Sequence, residues 1–199
     1  DVYKRQLFGF GYFLSNLYWI SISLTFDQNF KFLIPLTIIL IPGFLALFYA
    51  LVAYLFVVLK SKENLSSFFL FSLIFGIVEF VRGSILTGFP WNLIAYSFSN
   101  QIEILNITSV IGTYSFNLFC ISLFTSPSIF ILRENKKDIS VCVAFLITTL
   151  SFYVLGSQNL EKFNNQDVKN LDYKIRILSS NISIDRFYNI IDPITAIEE

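Results

Sequence analysis

Five long apolar runs dominate the chain. They lie at residues 7–26, 32–59 and 66–86, within 102–132, and at 139–156, with short polar turns between them. Each comes near or exceeds the roughly 20 residues that a helix needs to cross a bilayer, the last being on the short side. In lipid, a backbone must satisfy its own hydrogen bonds, so runs of this kind admit helices and little else. A water-soluble core is excluded by the balance of side chains: 55% of the 199 residues are hydrophobic and only 14% are charged, against about 25% charged in soluble domains.

After residue 156 the composition changes. Residues 157–172 are polar and Asn-rich and read as a linker. Residues 173–184 (YKIRILSSNISI) alternate around Ile175 and Ile177 before a small polar end. This is the pattern of a strand opening a soluble domain with its end at an active-site edge, and 185–199 would begin a helix. The expected fold is an all-α polytopic membrane domain of about five spans over 7–156, a linker, and from 173 the truncated start of an α/β domain. Residues 1–6 (DVYKRQ) resemble one reading frame of a sequencing-library transposon end, and methionine is absent from the chain. They read as an artefact that a clone from the source DNA should lack.

Orientation follows from the basic residues in short loops. Lys60, Lys62, Arg133, Lys136 and Lys137 fall on one side and Lys31 alone on the other. The first set is expected to be cytoplasmic, which places the turn at Asp27, the loop at Gly88 and the tail beyond Gly156 outside. The net charge of zero gives no footprint for nucleic acid. Histidine is absent, which removes the commonest metal ligand and the usual general base. No metal-ligand cluster or glycine-rich phosphate loop is visible, and no cofactor is expected. Cys120 and Cys142 sit in apolar runs without a charged helper to activate either thiol.

The stretch that concentrates unusual chemistry is 79–97, EFVRGSILTGFPWNLIAYS. Glu79 and Arg82 are three apart and share a helix face. Ionisable groups inside a span are costly enough to count as a functional hypothesis by default. Such a pair can fix helix packing; Arg82 can instead meet a phospholipid headgroup or hold a loop over a lipid-entry cleft, since its forked donors suit phosphate. Thr87, Gly88, Pro90 and Trp91 form a stiff outer turn that serves at least as an interfacial anchor. Asn92, Tyr96 and Glu103 add polar groups on that side. In 111–117 (IGTYSFN), Gly112, Ser115 and Asn117 suggest close helix packing and an interhelical hydrogen bond. Gly9, Gly11 and Ser15 suggest the same in the first span.

The same stretch resembles the signature of the apolipoprotein N-acyltransferase family, E-x-x-R-G-x-x-x-T-G-F-P-W with a Tyr-Ser soon after. GFGYFLSNLYWISISL, IGTYSFNL and KIRILSSNIS are similar to further family segments, the last to the opening strand of its nitrilase-like domain. Ser183 stands where Pro is common, Ile184 where Gln is common, and Tyr188 or Phe187 where Trp is frequent. The resemblance implies a multi-pass protein of the bacterial inner membrane with a periplasmic α-β-β-α domain carrying a Glu–Lys–Cys triad. The Cys takes an acyl chain from a phospholipid and passes it to the α-amino group of a diacylglyceryl-cysteine on an apolipoprotein. The partners implied are thus the phospholipid donor, the apolipoprotein acceptor and the bilayer itself. No triad residue matches within the chain, so the triad is expected beyond residue 199 and the chain alone is expected to be inactive. The substrate- or lipid-facing candidates are Glu79, Arg82, Thr87, Gly88, Pro90, Trp91, Asn92 and Tyr188. Two competing readings are a polytopic transporter with Glu79 and Arg82 lining its path, and a non-catalytic membrane scaffold. Paired broken helices, which would favour a transporter, are not obvious.

Overall fold

The structure is a computed structural model, and it describes residues 2–85, 88, 90–132 and 136–166. The expected strand at 173–184, Thr87 and Tyr188 lie outside the described residues. Helix α1 (Val2–Leu17) runs into a 3-10 stretch, Tyr18–Thr25. A second 3-10 stretch, Gln28–Leu33, opens when the Asp27 carboxylate accepts from the Asn29 amide at 2.9 Å. Helix α2 (Ile34–Leu59) follows, then α3 (Asn64–Ser84), two short helices α4 (Ile102–Leu105) and α5 (Thr108–Ile111), then α6 (Thr113–Ile131) and α7 (Lys136–Asn164).

Among the described residues, five stretches are long and apolar enough to cross a membrane: Tyr3–Thr25, Gln28–Leu59, Asn64–Ser84, Thr113–Ile131 and Lys136–Asn164. At about 1.5 Å per residue, α3 spans roughly 32 Å, close to the hydrocarbon thickness. Large apolar side chains such as Leu146 and Leu150 on α7, each 64% exposed, face outward. That surface is stable against lipid and not against water.

The helices pack in the order α1, α2, α3, α6, α7, each against the next. Phe13 and Leu17 meet Leu45 and Tyr49 between α1 and α2. Val52 meets Ile74 and Val78 between α2 and α3. A third cluster joins Leu93 and Ala95 to Ile104, Phe116 and Cys120. Pro35 sits in the first turn of α2, where its missing N–H is harmless, and Pro42 lies inside a helix that remains continuous.

Three sequence expectations change. The linker expected from 157 is helical to Asn164, because Gly156 does not stop α7. Instead its missing side chain lets the helix lie directly against the Glu103 backbone carbonyl. Asn159 Nδ2 then donates to Asn106 Oδ1 at 2.9 Å, adding a second tie to the segment between α4 and α5. Next, Gly112 and Ser115 do not mediate close packing. Both are exposed, and Gly112 turns the chain into α6 with φ +79°. The glycines that face α6 are on α3: a side chain at Gly76 would strike Leu118, and one at Gly83 would strike the Tyr114 hydroxyl. In the first span, Gly9 packs on Tyr49 as expected, whereas Gly11 is open and Ser15 exposed. Last, residues 91–98 in the loop after α3 do not stay at the surface.

Candidate functional site

Residues 91–98 fold back into the bundle. Leu93 and Ala95 are buried, and the 3-10 turn Ile94–Phe98 packs against α6. The Phe98 ring stacks on Phe124 with centroids 5.7 Å apart. Phe124 is eleven residues into α6, roughly 16 Å along its axis, so the segment reaches well below the rim. Irregular backbone at that depth is tolerable only when protein covers it and satisfies its polar groups.

Arg82 and Asn117 meet that requirement. Arg82 Nη1 donates to the Trp91 carbonyl at 2.9 Å, and Nη2 donates to Glu79 Oε2 at 3.0 Å. Arg82 and Glu79 are each 1% exposed. The guanidinium also lies over the Phe13 ring, 5.3 Å from its centroid, tying α1 to the pair. Asn117 Oδ1 accepts the Ala95 N–H at 3.0 Å. Its amide reaches toward the Glu79 carboxylate, yet Asn117 Nδ2 and Glu79 Oε1 find no partner within hydrogen-bond distance among the described residues.

The upper part of the loop is fixed from α1 and the 3-10 stretch that follows it. Tyr12 donates its hydroxyl to the Asn92 carbonyl at 3.1 Å, and Trp19 stacks on Trp91 with ring centroids 5.0 Å apart. Gly88 takes φ +79° and Asn92 φ 59°. A side chain at Gly88 would come within 2.6 Å of the Gly83 carbonyl, so both backbone angle and space demand glycine there. Pro90 is half-buried, Trp91 remains 45% exposed, and Tyr96 faces outward.

Two cavities flank this loop and share Tyr12 and Ile94 as a common wall. One, of about 310 Å³, is apolar and lies between α1, α2 and α3, with Tyr49, Val52 and Phe75 in its lining. The other, of about 470 Å³, carries Asn16, Asn92 and Ser97.

Seven of the eight sequence candidates cluster in 79–92. The structure brings Glu79, Arg82, Trp91 and Asn92 together, and leaves Gly88 and Pro90 to shape the turn. Tyr12, Tyr49 and Phe13 were missed. Each looks like ordinary aromatic filling in its own run, and only contacts across the bundle set them apart: Phe13 under the guanidinium, Tyr12 on the Asn92 carbonyl, and Tyr49 against both rings. As for chemistry, no nucleophile stands beside a base among the described residues. Cys120 is fully buried among apolar side chains, and Cys142 Sγ bonds the Ser126 carbonyl at 3.1 Å. No cluster of His, Cys, Asp or Glu able to hold a metal occurs among the described residues. The site is built to hold a loop and line a cleft.

These features define a multi-pass helical membrane protein with a re-entrant loop at one end of the bundle, clamped by a buried ion pair. The chain matches the family described as Apolipoprotein N-acyltransferase N-terminal domain over residues 3–126, and it belongs to that family. Apolipoprotein N-acyltransferase of Rhodopseudomonas palustris is 32% identical over 185 residues, 92% of this chain and 34% of the relative. The Rickettsia bellii protein of the same name is 31% identical over 88% of this chain and 34% of its own length. That of Brucella melitensis is 37% identical over 61% and 23%, respectively. The chain thus spans about a third or less of the curated relatives it matches. No solved structure matches it significantly.

Proposed function

We propose that the chain is the membrane platform of an apolipoprotein N-acyltransferase. In this reading a phospholipid supplies the acyl chain and a cysteine of an extracytoplasmic nitrilase-like module carries it as a thioester. The free α-amino group of a diacylglyceryl-cysteine on a lipoprotein then receives it. Splitting the transfer into thiolate attack and aminolysis is ordinary covalent catalysis, with a carboxylate as base and a lysine stabilising the oxyanion. The platform's part is to present lipid beneath that module. The observation that carries the reading is the Arg82 clamp on Trp91, which fixes a re-entrant loop between an apolar cavity and one whose wall includes Asn16, Asn92 and Ser97. An acyl chain fits the first and a headgroup the second.

The chain alone has no activated thiol among its described residues, so it forms no acyl-enzyme on Cys120 or Cys142 when given phospholipid. The test is a chimaera in which the chain replaces its aligned segment of the Rhodopseudomonas palustris relative, expressed in a strain depleted of its own acyltransferase. Growth and N-acylated lipoprotein, read by mass spectrometry of the lipoprotein N-terminus, are the expected result. A chimaera that is made, inserted and stable but leaves lipoproteins diacylated overturns the reading.

A further inference from the structure

A third cavity lies at the opposite end of the bundle. It is about 770 Å³ and opens between the α2–α3 turn, the last turns of α6 and the start of α1. Lys60, Lys62 and Arg5 line it. Its deeper wall is apolar, made by Phe56, Phe68 and Phe71 with Ile129. Three hydroxyls around it are already committed as donors: Ser67 to the Ser61 carbonyl at 2.8 Å, Thr125 to the Ile121 carbonyl at 2.7 Å, and Ser128 to the Thr125 carbonyl at 2.7 Å, while Ser61 Oγ accepts the Glu63 N–H at 3.3 Å. Asn64 Nδ2 donates to the Leu132 carbonyl at 3.0 Å and locks the start of α3 to the end of α6. The turn is therefore preorganised, and its lysines, with the Ser61 hydroxyl, are donors that a ligand can use. The N-terminus of α3 opens at the same place and adds partial positive charge beside the exposed Glu63 carboxylate.

From this geometry we infer that the cavity is a binding site for the phosphodiester headgroup of an anionic phospholipid in the leaflet on the basic side. A free phosphate would use the cations but not the wall of phenylalanines, whereas a lipid uses both. Basic pockets between membrane helices on that side are suited to anionic headgroups, and each Lys near the surface contributes about fivefold in affinity. Arg5 adds to the charge, but the inference stands on Lys60 and Lys62. Such a lipid wedges α2, α3 and α6 together at the end remote from the re-entrant loop, in a cavity that shares Arg5 and Phe71 with the apolar one.

Native mass spectrometry of the detergent-solubilised chain tests this with phosphatidylglycerol, with phosphatidylcholine of the same acyl chains, and with inorganic phosphate. Phosphatidylglycerol is expected to be retained preferentially, and Lys60→Gln with Lys62→Gln to weaken its retention roughly 30-fold. Lys60→Arg with Lys62→Arg keeps the preference. So does Lys136→Gln with Lys137→Gln, which removes the same charge from the same side but outside the cavity. Equal retention of the two lipids overturns the inference, as does an unchanged preference in the Gln variant or a matching loss in the Lys136/Lys137 control. Micromolar inorganic phosphate displacing the lipid also overturns it, by making the site one for a free anion.

Discussion

Arg82 and Glu79 solve each other's problem and create a dependency. Two charges at 1% exposure are tolerable because the guanidinium meets the carboxylate, a backbone carbonyl and an aromatic face together. Removing one partner strands the other, so Arg82→Gln is expected to cost about 3–5 kcal/mol. The double change Glu79→Gln with Arg82→Gln should cost less than Arg82→Gln alone, a non-additivity that thermal unfolding in detergent micelles measures directly. Strict additivity would mean the pair is not a unit. Arg82→Lys keeps the charge but cannot fork to both Glu79 and Trp91. It is expected to lose the value of one charge-assisted hydrogen bond, about 1.5–3 kcal/mol, with the loop rather than the helix becoming sensitive to proteolysis. The pairing was legible in the sequence, since a spacing of three puts both groups on one face. What Arg82 grips was not: its second partner is a main-chain oxygen, and backbone carbonyls carry no sequence signature.

At the scale of elements, the re-entrant segment and α7 depend on features that look like something else in the one-dimensional string. IAYSF reads as an outer loop because its burial is decided by Asn117, 22 residues later on another helix. Asn117→Leu leaves the buried Ala95 N–H without an acceptor and is expected to cost about 1–3 kcal/mol in the same unfolding measurement. Gly156 reads as a helix stop because glycine disfavours helices, yet it is where α7 touches the Glu103 backbone. Gly11 is also helical but open and exposed. Replacing a helical glycine by alanine normally stabilises by up to about 1 kcal/mol. The two sites should therefore respond with opposite signs. Gly11→Ala leaves the melting temperature unchanged or raised, and Gly156→Ala lowers it, overpacking typically costing about 1–3 kcal/mol. A stabilising Gly156→Ala would refute the close approach of α4 and α7.

For the whole molecule, the number of spans was readable because hydropathy is summed over some twenty residues and survives local error. Their neighbour order was not, because lipid-facing and helix-facing positions are equally apolar in a membrane. Orientation rests on Lys60, Lys62, Lys136 and Lys137 sharing one end of the bundle with the cavity described above, while Lys31 and the re-entrant loop occupy the other. The excess of basic residues predicts that the Lys62 turn faces the cytoplasm and Ser99 faces out. Both positions are exposed, so a membrane-impermeant thiol reagent reads their sidedness in a Cys120→Ala, Cys142→Ala background. In intact spheroplasts Ser99→Cys should be labelled at once, and Lys62→Cys only after the membrane is permeabilised. The reverse pattern would put the Trp91 rim on the side where no extracytoplasmic module could reach it. The acyl-transfer platform would fall with it, whereas the headgroup site at Lys60 and Lys62 would survive, because anionic lipid binding there depends on the cavity and not on which leaflet it faces.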